Sequence, residues 1–303
     1  MSILNSQIDE IASTHLGKRV EGSKSYDSSL LVAVPRLENR KRYSIIPEEL
    51  PFEGYDVWHC YEFSTMTKNN IPVTRVLKLK YSCDSEYIVE SKSLKLYLNS
   101  FNMTNFGTSA AECLNICRQL VEKDLSEKLK TKVDAEFLTE NTERVQLFDN
   151  YANLMSLTDK ANLSAEIFKE APELLKIEQI NEEKSNYYLR FDSLRSNCRV
   201  THQPDFGDVF IYYRSKKVIN YDSLIKYLIS FRSEYHFHEE CCEMIYKRLY
   251  DLLDSDDKLM VCALYTRRGG IDISPVRYSK GLTNSDIEAL ENLSVFARCG
   301  IKQ

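Results

Sequence analysis

Cys198 and Asp205 stand seven residues apart in Ser196-Asn197-Cys198-Arg199-Val200-Thr201-His202-Gln203-Pro204-Asp205-Phe206. A thiol and a carboxyl group held together can act as nucleophile and proton donor. The residues between them are polar and turn-forming, and Pro204 restricts the backbone just ahead of Asp205. Most cysteines are small buried hydrophobes, so the pair does chemistry only if the fold gathers both groups. Tyr187-Tyr188-Leu189-Arg190-Phe191 and Val209-Phe210-Ile211-Tyr212-Tyr213 flank it and predict strands. The thiol and acid are therefore expected on a loop between two strands.

Other clusters are weaker. Cys113 and Cys117 share a helical period, His236-Phe237-His238-Glu239 resembles a ligand cluster, and so does Trp58-His59-Cys60. A closed zinc site wants four ligands at matching spacing, and none of these supplies them. Glu90, Ser91 and Lys92 precede a predicted helix, whose N-terminus can hold an anionic group; the alternative is a cap made by Ser91 or Ser93. Thr266-Arg267-Arg268-Gly269-Gly270 suits the close approach of a phosphate, or is simply a basic turn. No G-x-G-x-x-G fingerprint is present, so motif spacing alone does not point to a nicotinamide cofactor.

The elements that must carry these residues come in two sets. Residues 1–30 read as a polar lead-in, and 31–62 as turns around Pro35, Pro47 and Pro51. Strands are expected at Val73–Tyr81 and Tyr87–Val89, helices at Leu94–Phe101 and Ser109–Lys128, and a strand at Lys132–Leu138. Ser93–Asn102 aligns with Ser223–Arg232 at a constant offset of 130, with six of ten positions identical. A second helix (His238–Leu253) and a strand (Lys258–Tyr265) follow the later copy in the same order, which predicts a duplicated unit. Residues 139–183, rich in Glu, Lys and Asn, read as a connection with one or two exposed helices and no chemistry. The expected division is 1–140, a connecting segment 141–180, and 181–303.

At 303 residues the chain is long enough for about two domains. With 43% hydrophobic and 28% charged residues its composition is that of a soluble protein, and a net charge of -5 gives no reason to expect nucleic acid as partner. The nine cysteines follow no framework spacing. No secretion signal and no apolar run of roughly 18 residues are visible. The expectation is a reduced, cytoplasmic chain, off the membrane.

Glu90-Ser91-Lys92-Ser93-Leu94-Lys95-Leu96-Tyr97 resembles the signature of the NADPH-dependent 7-cyano-7-deazaguanine reductases, the nitrile reductases of queuosine biosynthesis. Cys198–Asp205 resembles their cysteine–aspartate segment, and Phe237-His238-Glu239 and Tyr265–Gly270 also fit. The order, ESKS before the cysteine, is that of the long two-module subgroup. The resemblance runs from about Tyr26 to about Pro275 and is poor across 120–180. It implies an α+β protein of tandem tunnelling-fold modules, antiparallel sheets with helices packed on one face, assembled as a homodimer. It implies Cys198 as nucleophile forming a thioimide and Asp205 as acid. Val89, Glu90, Ser91, His238 and Glu239 would bind the nitrile substrate. Ser91, Lys92, Arg268 and Gly269 would bind NADPH, and Arg267 would assist at its extra phosphate. Two rivals remain: a zinc-dependent purine or pterin enzyme of the same fold, and a binding module without chemistry.

Overall fold

A computed structural model describes residues 25–159, 161–300 and 302; most of the expected lead-in lies outside them. The first set of elements opens with strand β1 (Ala33–Pro35) and helix α1 (Leu37–Arg42). Next come β2 (Glu53–Thr67), β3 (Pro72–Ser82), β4 (Tyr87–Val89), α2 (Ser91–Asn99), β5 (Asn105–Phe106), α3 (Ala110–Leu129) and β6 (Val133–Leu138). Strands β7 (Glu143–Gln146) and β8 (Ala152–Asn153) lead to β9 (Ile177–Cys198) and β10 (Pro204–Ile219). Then follow α4 (Tyr221–Ser230), β11 (Tyr235–His236), α5 (His238–Leu252), β12 (Lys258–Tyr265) and β13 (Ile271–Tyr278). The last elements are α6 (Ser285–Glu291) and β14 (Val295–Arg298).

The protein is of mixed α+β class, built on one large, mainly antiparallel sheet. Its strand order is β11-β9-β10-β12-β13-β2-β3-β6. Each half repeats one pattern. A long hairpin (β2–β3, β9–β10) pairs its second strand with the strand after the second helix (β6, β12). Its first strand takes a two-residue parallel partner, β5 on β2 and β11 on β9. The helix starts repeat as well: Ser93 Oγ donates to Glu90 O and Ser223 Oγ to Asn220 O, each at 2.7 Å. Each serine oxygen then accepts from a backbone N–H of the lead-in chain, Val32 and Lys176.

Leu94, Tyr97 and Phe101 pack with Trp58 and Leu79 on one face of the sheet. Leu224, Tyr227 and Phe231 pack with Phe191 and Ile211 in the other half. The opposite face is covered too, since Ile287 and Leu290 of α6, with Phe148 and Tyr151, pack on Val57, Phe210 and Met260.

Two expectations are corrected. The 31–62 stretch is not a run of turns, because β2 occupies fifteen residues from Glu53 to Thr67. Pairing on both sides, with β13 and β3, makes it a central strand despite its mixed composition. Residues 139–183 contain no α-helix among the described residues; they hold β7, β8, two short 3₁₀ turns and the start of β9. Leu147, Phe148 and Leu154 are buried there, and Phe148 stacks on Phe210 with ring centroids 4.3 Å apart. A few apolar anchors seat a segment whose average composition reads as solvated.

Candidate active site

The β9–β10 hairpin ends in a five-residue turn, so Cys198 is the last residue of β9 and Asp205 the second of β10. The strands are longer than their apolar runs because backbone pairing continues to the tip: Asp205 faces Ser196, and Pro204 faces Asn197. The turn closes through Cys198 N–H to Gln203 O at 2.8 Å and His202 N–H to Cys198 O at 2.9 Å, with His202 at φ +57°. Cys198 stands two residues from Ser196, the partner of Asp205, so thiol and carboxylate share one face of the ribbon. They are diagonal neighbours, about 7 Å apart at Cα.

Helix α5 brings the next groups. β11 lies parallel to the end of β9, with His236 against Cys198, and sets the following His238 and Glu239 in the first turn of α5. His238 Nε2 lies 3.3 Å from Asp205 Oδ2, and its ring stacks on Tyr265 with centroids 3.7 Å apart. Arg268 Nη1 approaches Asp205 Oδ1 at 2.6 Å. Glu239 is buried, with Oε1 lacking a hydrogen-bond partner among the described residues. Burial and the nearby Asp56 carboxylate push its carboxyl up to about 8. Cys198, Asp205, His238, Glu239 and Arg268 line one cavity with Val89, Ser91 and Trp58. Among the described residues Trp58 Nε1 and His238 Nδ1 are also buried without partners. Three orphaned polar atoms on one cavity wall are costly to keep and mark a place where a ligand completes hydrogen bonds.

Comparison with known proteins bears directly on this arrangement. Residues 23–137 match the family described as nitrile reductase, 7-cyano-7-deazaguanine-reductase N-term, and residues 204–283 match the QueF-like protein family. An NADPH-dependent 7-cyano-7-deazaguanine reductase of Colwellia psychrerythraea is 37% identical over 273 residues, spanning 89% of this chain and 93% of the relative. The enzyme of the same name from Rickettsia canadensis is 39% identical over 270 residues, spanning 88% and 93%. The chain belongs to the 7-cyano-7-deazaguanine reductase family.

In this reductase-family chain the ESKS motif forms the start of α2. Glu90 is its N-cap, accepting from Lys92 N–H at 2.9 Å and Ser93 N–H at 2.6 Å. The cap is therefore Glu90, not Ser91 or Ser93; burial pushes its carboxyl up, while those two N–H groups pull the other way. Val89 and Ser91 on either side line the cavity, while the Glu90 carboxylate is turned into the cap. Ser91, Lys92, Lys95 and Arg268 line an adjoining cleft with His238 and Thr266. A Cβ on Gly269, at φ +60°, would sit 3.3 Å from Lys95 Nζ and 3.6 Å from Lys92 Nζ. Loss of solvation and the neighbouring Arg268 and Lys95 charges push the Lys92 amine down. Crowded cations around a backbone without a side chain fit a polyanionic cofactor such as NADPH.

Lys95 and Ile273 also line these clefts without any role in the sequence reading, as do Trp58, His236 and Phe237, which that reading weighed only within candidate ligand clusters or motifs. The sole tryptophan and the second lysine of Lys92-Ser93-Leu94-Lys95 were the available signals. The candidate metal clusters are not brought together. His59 pairs with Asp272 at 2.9 Å, His236 lies between Glu234 and Glu240, and Cys113 and Cys117 are buried in α3. Among the described residues no three His, Cys, Asp or Glu side chains converge as metal ligands. Among the same residues no helix is long and apolar enough to cross a membrane.

Proposed function

We propose that this protein reduces the nitrile of 7-cyano-7-deazaguanine to the 7-aminomethyl product, in the queuosine pathway, using two NADPH. The observation that carries the reading is the shared cavity of Cys198, Asp205 and the unpaired Glu239 oxygen in a chain of this family. The Cys198 sulfur adds to the nitrile carbon, and the nitrogen takes a proton from Asp205, giving a thioimide. That adduct is imine-like and accepts hydride, which the nitrile itself does poorly. Bound NADPH supplies the hydride, one equivalent for each reduction. After the first, the C–S bond breaks and Cys198 leaves as thiolate; the imine left behind is the second acceptor. Glu239 accepts from the N–H donors of the guanine-like edge, and Glu90 joins it once its carboxylate turns out of the α2 cap. Val89, Ser91 and His238 complete the substrate pocket, and His238 also orients the Asp205 carboxylate. Ser91, Lys92, Gly269 and Arg268 hold the cofactor, with Arg267 at its additional phosphate.

The cavity has room for only about 20 Å³, near the size of a single water. A bicyclic base therefore enters by displacing a side chain. Arg268, whose side chain is 34% exposed, is the one free to swing outward. Its departure also releases Asp205.

The repeated hairpin–helix–helix–strand units support the tunnelling fold. Among the described residues strand β6 ends the sheet with one edge unpaired, which supports association with a second copy.

The deciding experiment is an intact-protein mass spectrum after mixing with 7-cyano-7-deazaguanine alone. A gain equal to the nitrile, absent from Cys198→Ala, is expected. No adduct, together with no nitrile-dependent NADPH oxidation, would leave a binding module in its place.

A further inference from the structure

A second cavity, of about 660 Å³, opens around the end of the sheet. That volume lies within the roughly 300–1,000 Å³ usual for ligand sites. Its walls include Tyr61, Arg75, Arg144 and Phe296, with Thr74 and Thr142 adding hydroxyls. Two further guanidiniums lie on the aromatic walls: Arg267 is 4.2 Å from the Tyr61 ring centroid, and Arg298 is 5.4 Å from that of Phe296. Glu140 is the only acid in the wall among the described residues, and its contact with Arg144 is a loose 3.9 Å from an exposed position. Among the described residues Arg75, Arg267 and Arg298 have no carboxylate within ion-pair distance, and Arg75 Nε has no hydrogen-bond partner. Asp272, which accepts from the Tyr61 hydroxyl at 2.5 Å, offsets part of this charge, but four guanidiniums around two rings outnumber it and Glu140, an excess that a bound anion would relieve.

This cavity is joined to the cofactor cleft by one loop. Arg268 and Gly269 border Lys92 and Lys95, the preceding Arg267 covers Tyr61, and Tyr61 N–H donates to Gly270 O at 2.8 Å. The outer wall comes from residues read in sequence as a bare connection, where β7 pairs in parallel with β14 and sets Arg144 opposite Phe296.

We infer that the cavity between Tyr61, Arg75, Arg144 and Phe296 holds the adenosine end of the dinucleotide, with the guanidiniums on its 2′-phosphate. The inference rests on the reductase reading and extends it. A phosphomonoester carries close to two charges and three acceptor oxygens, and guanidinium forks pair with such oxygens better than amines do. Planar aromatic and guanidinium surfaces suit adenine. The arginines thereby become the source of any preference for NADPH over NADH.

The test is titration calorimetry with adenosine 2′,5′-bisphosphate, which lacks the nicotinamide and enters no reaction. The intact protein should bind it, and Cys198→Ala should bind it equally. Arg75→Gln and Arg144→Gln should each weaken binding about tenfold, the order expected for one charge-assisted contact. Both variants should lose discrimination between NADPH and NADH in the same assay. Binding of the bisphosphate unchanged in both variants, or absent from the intact protein, overturns the assignment. Nitrile-dependent NADPH oxidation by the same preparation tells the two failures apart. If it persists while the bisphosphate result is negative, only the cavity assignment falls; if it is absent, the reductase reading itself falls.

Discussion

A buried carboxyl oxygen without a donor, as in Glu239, is tolerable mainly while the group holds its proton. With the folded group pushed up to about 8 against about 4.5 unfolded, the folded chain binds the extra proton across that interval. Its stabilising contribution is therefore greatest below the unfolded value and falls away as pH rises towards 8. Glu239→Gln should become the more stable of the two as pH rises from about 5 to about 8, with no further divergence above. Denaturant unfolding across that range measures it. Substrate N–H donors need the carboxylate, so binding at pH 7 should release close to one proton, read by calorimetry in buffers of different ionisation enthalpy. Glu239→Gln should abolish that release. For the reacting pair, Asp205→Asn should retain nitrile binding and lower turnover by about 10²–10⁴, the usual worth of a positioned acid. Single-turnover kinetics separates those two effects.

At the scale of elements, the two helix starts do one job in two ways. Glu90 caps α2 with a carboxylate and Asn220 caps α4 with an amide, while Ser93 and Ser223 tie each helix to the chain before it. Leu94 and Leu224, one in each copy, are both fully buried. Leu94→Ala and Leu224→Ala should each cost about 2–5 kcal/mol in unfolding free energy. An effect at one and none at the other would mean that the copies do not share a packing role. The repeat was legible because buried positions on an amphipathic helix constrain residue type strongly. The long strand β2 and the seating of 139–183 were not, since β2 alternates polar groups that are themselves buried, Asp56 and His59 among them.

Across the whole molecule, those buried polar groups join the two halves. Arg277 of β13 bonds Asp56 of β2 at 2.9 Å and Glu243 of α5 at 3.0 Å. Arg36 reaches Asp56 at 2.5 Å, and Arg40 reaches Glu243 at 2.7 Å. All five side chains are buried. Arg277→Met leaves Asp56 with Arg36 and Glu243 with Arg40, but both carboxylates lose a buried charge-assisted hydrogen bond and the bridge between them, so it should destabilise by about 1–3 kcal/mol. Because Glu243 stands one turn after Glu239, the variant should also weaken nitrile binding when assayed well below its melting temperature. For assembly, light scattering should give twice the chain mass, and a single-chain mass would remove the homodimer.

The duplication, the helix pairs and the α+β class could be read from the sequence, because periodicity marks helices and turn residues mark the hairpin tip. The motifs bearing Cys198, Asp205, Ser91, His238 and Arg268 stood out as unusual side chains, and only the family resemblance gave them roles. Long-range pairing decided the rest. Which strands lie side by side depends on loop closures spanning more than two hundred residues, as in Asp56 beside Arg277. Only that closure sets Trp58 beside Cys198, orphans the Glu239 oxygen, and gathers Tyr61, Arg75, Arg144 and Phe296 into one cavity. Local preference has no means of specifying contacts between positions so far apart in the chain.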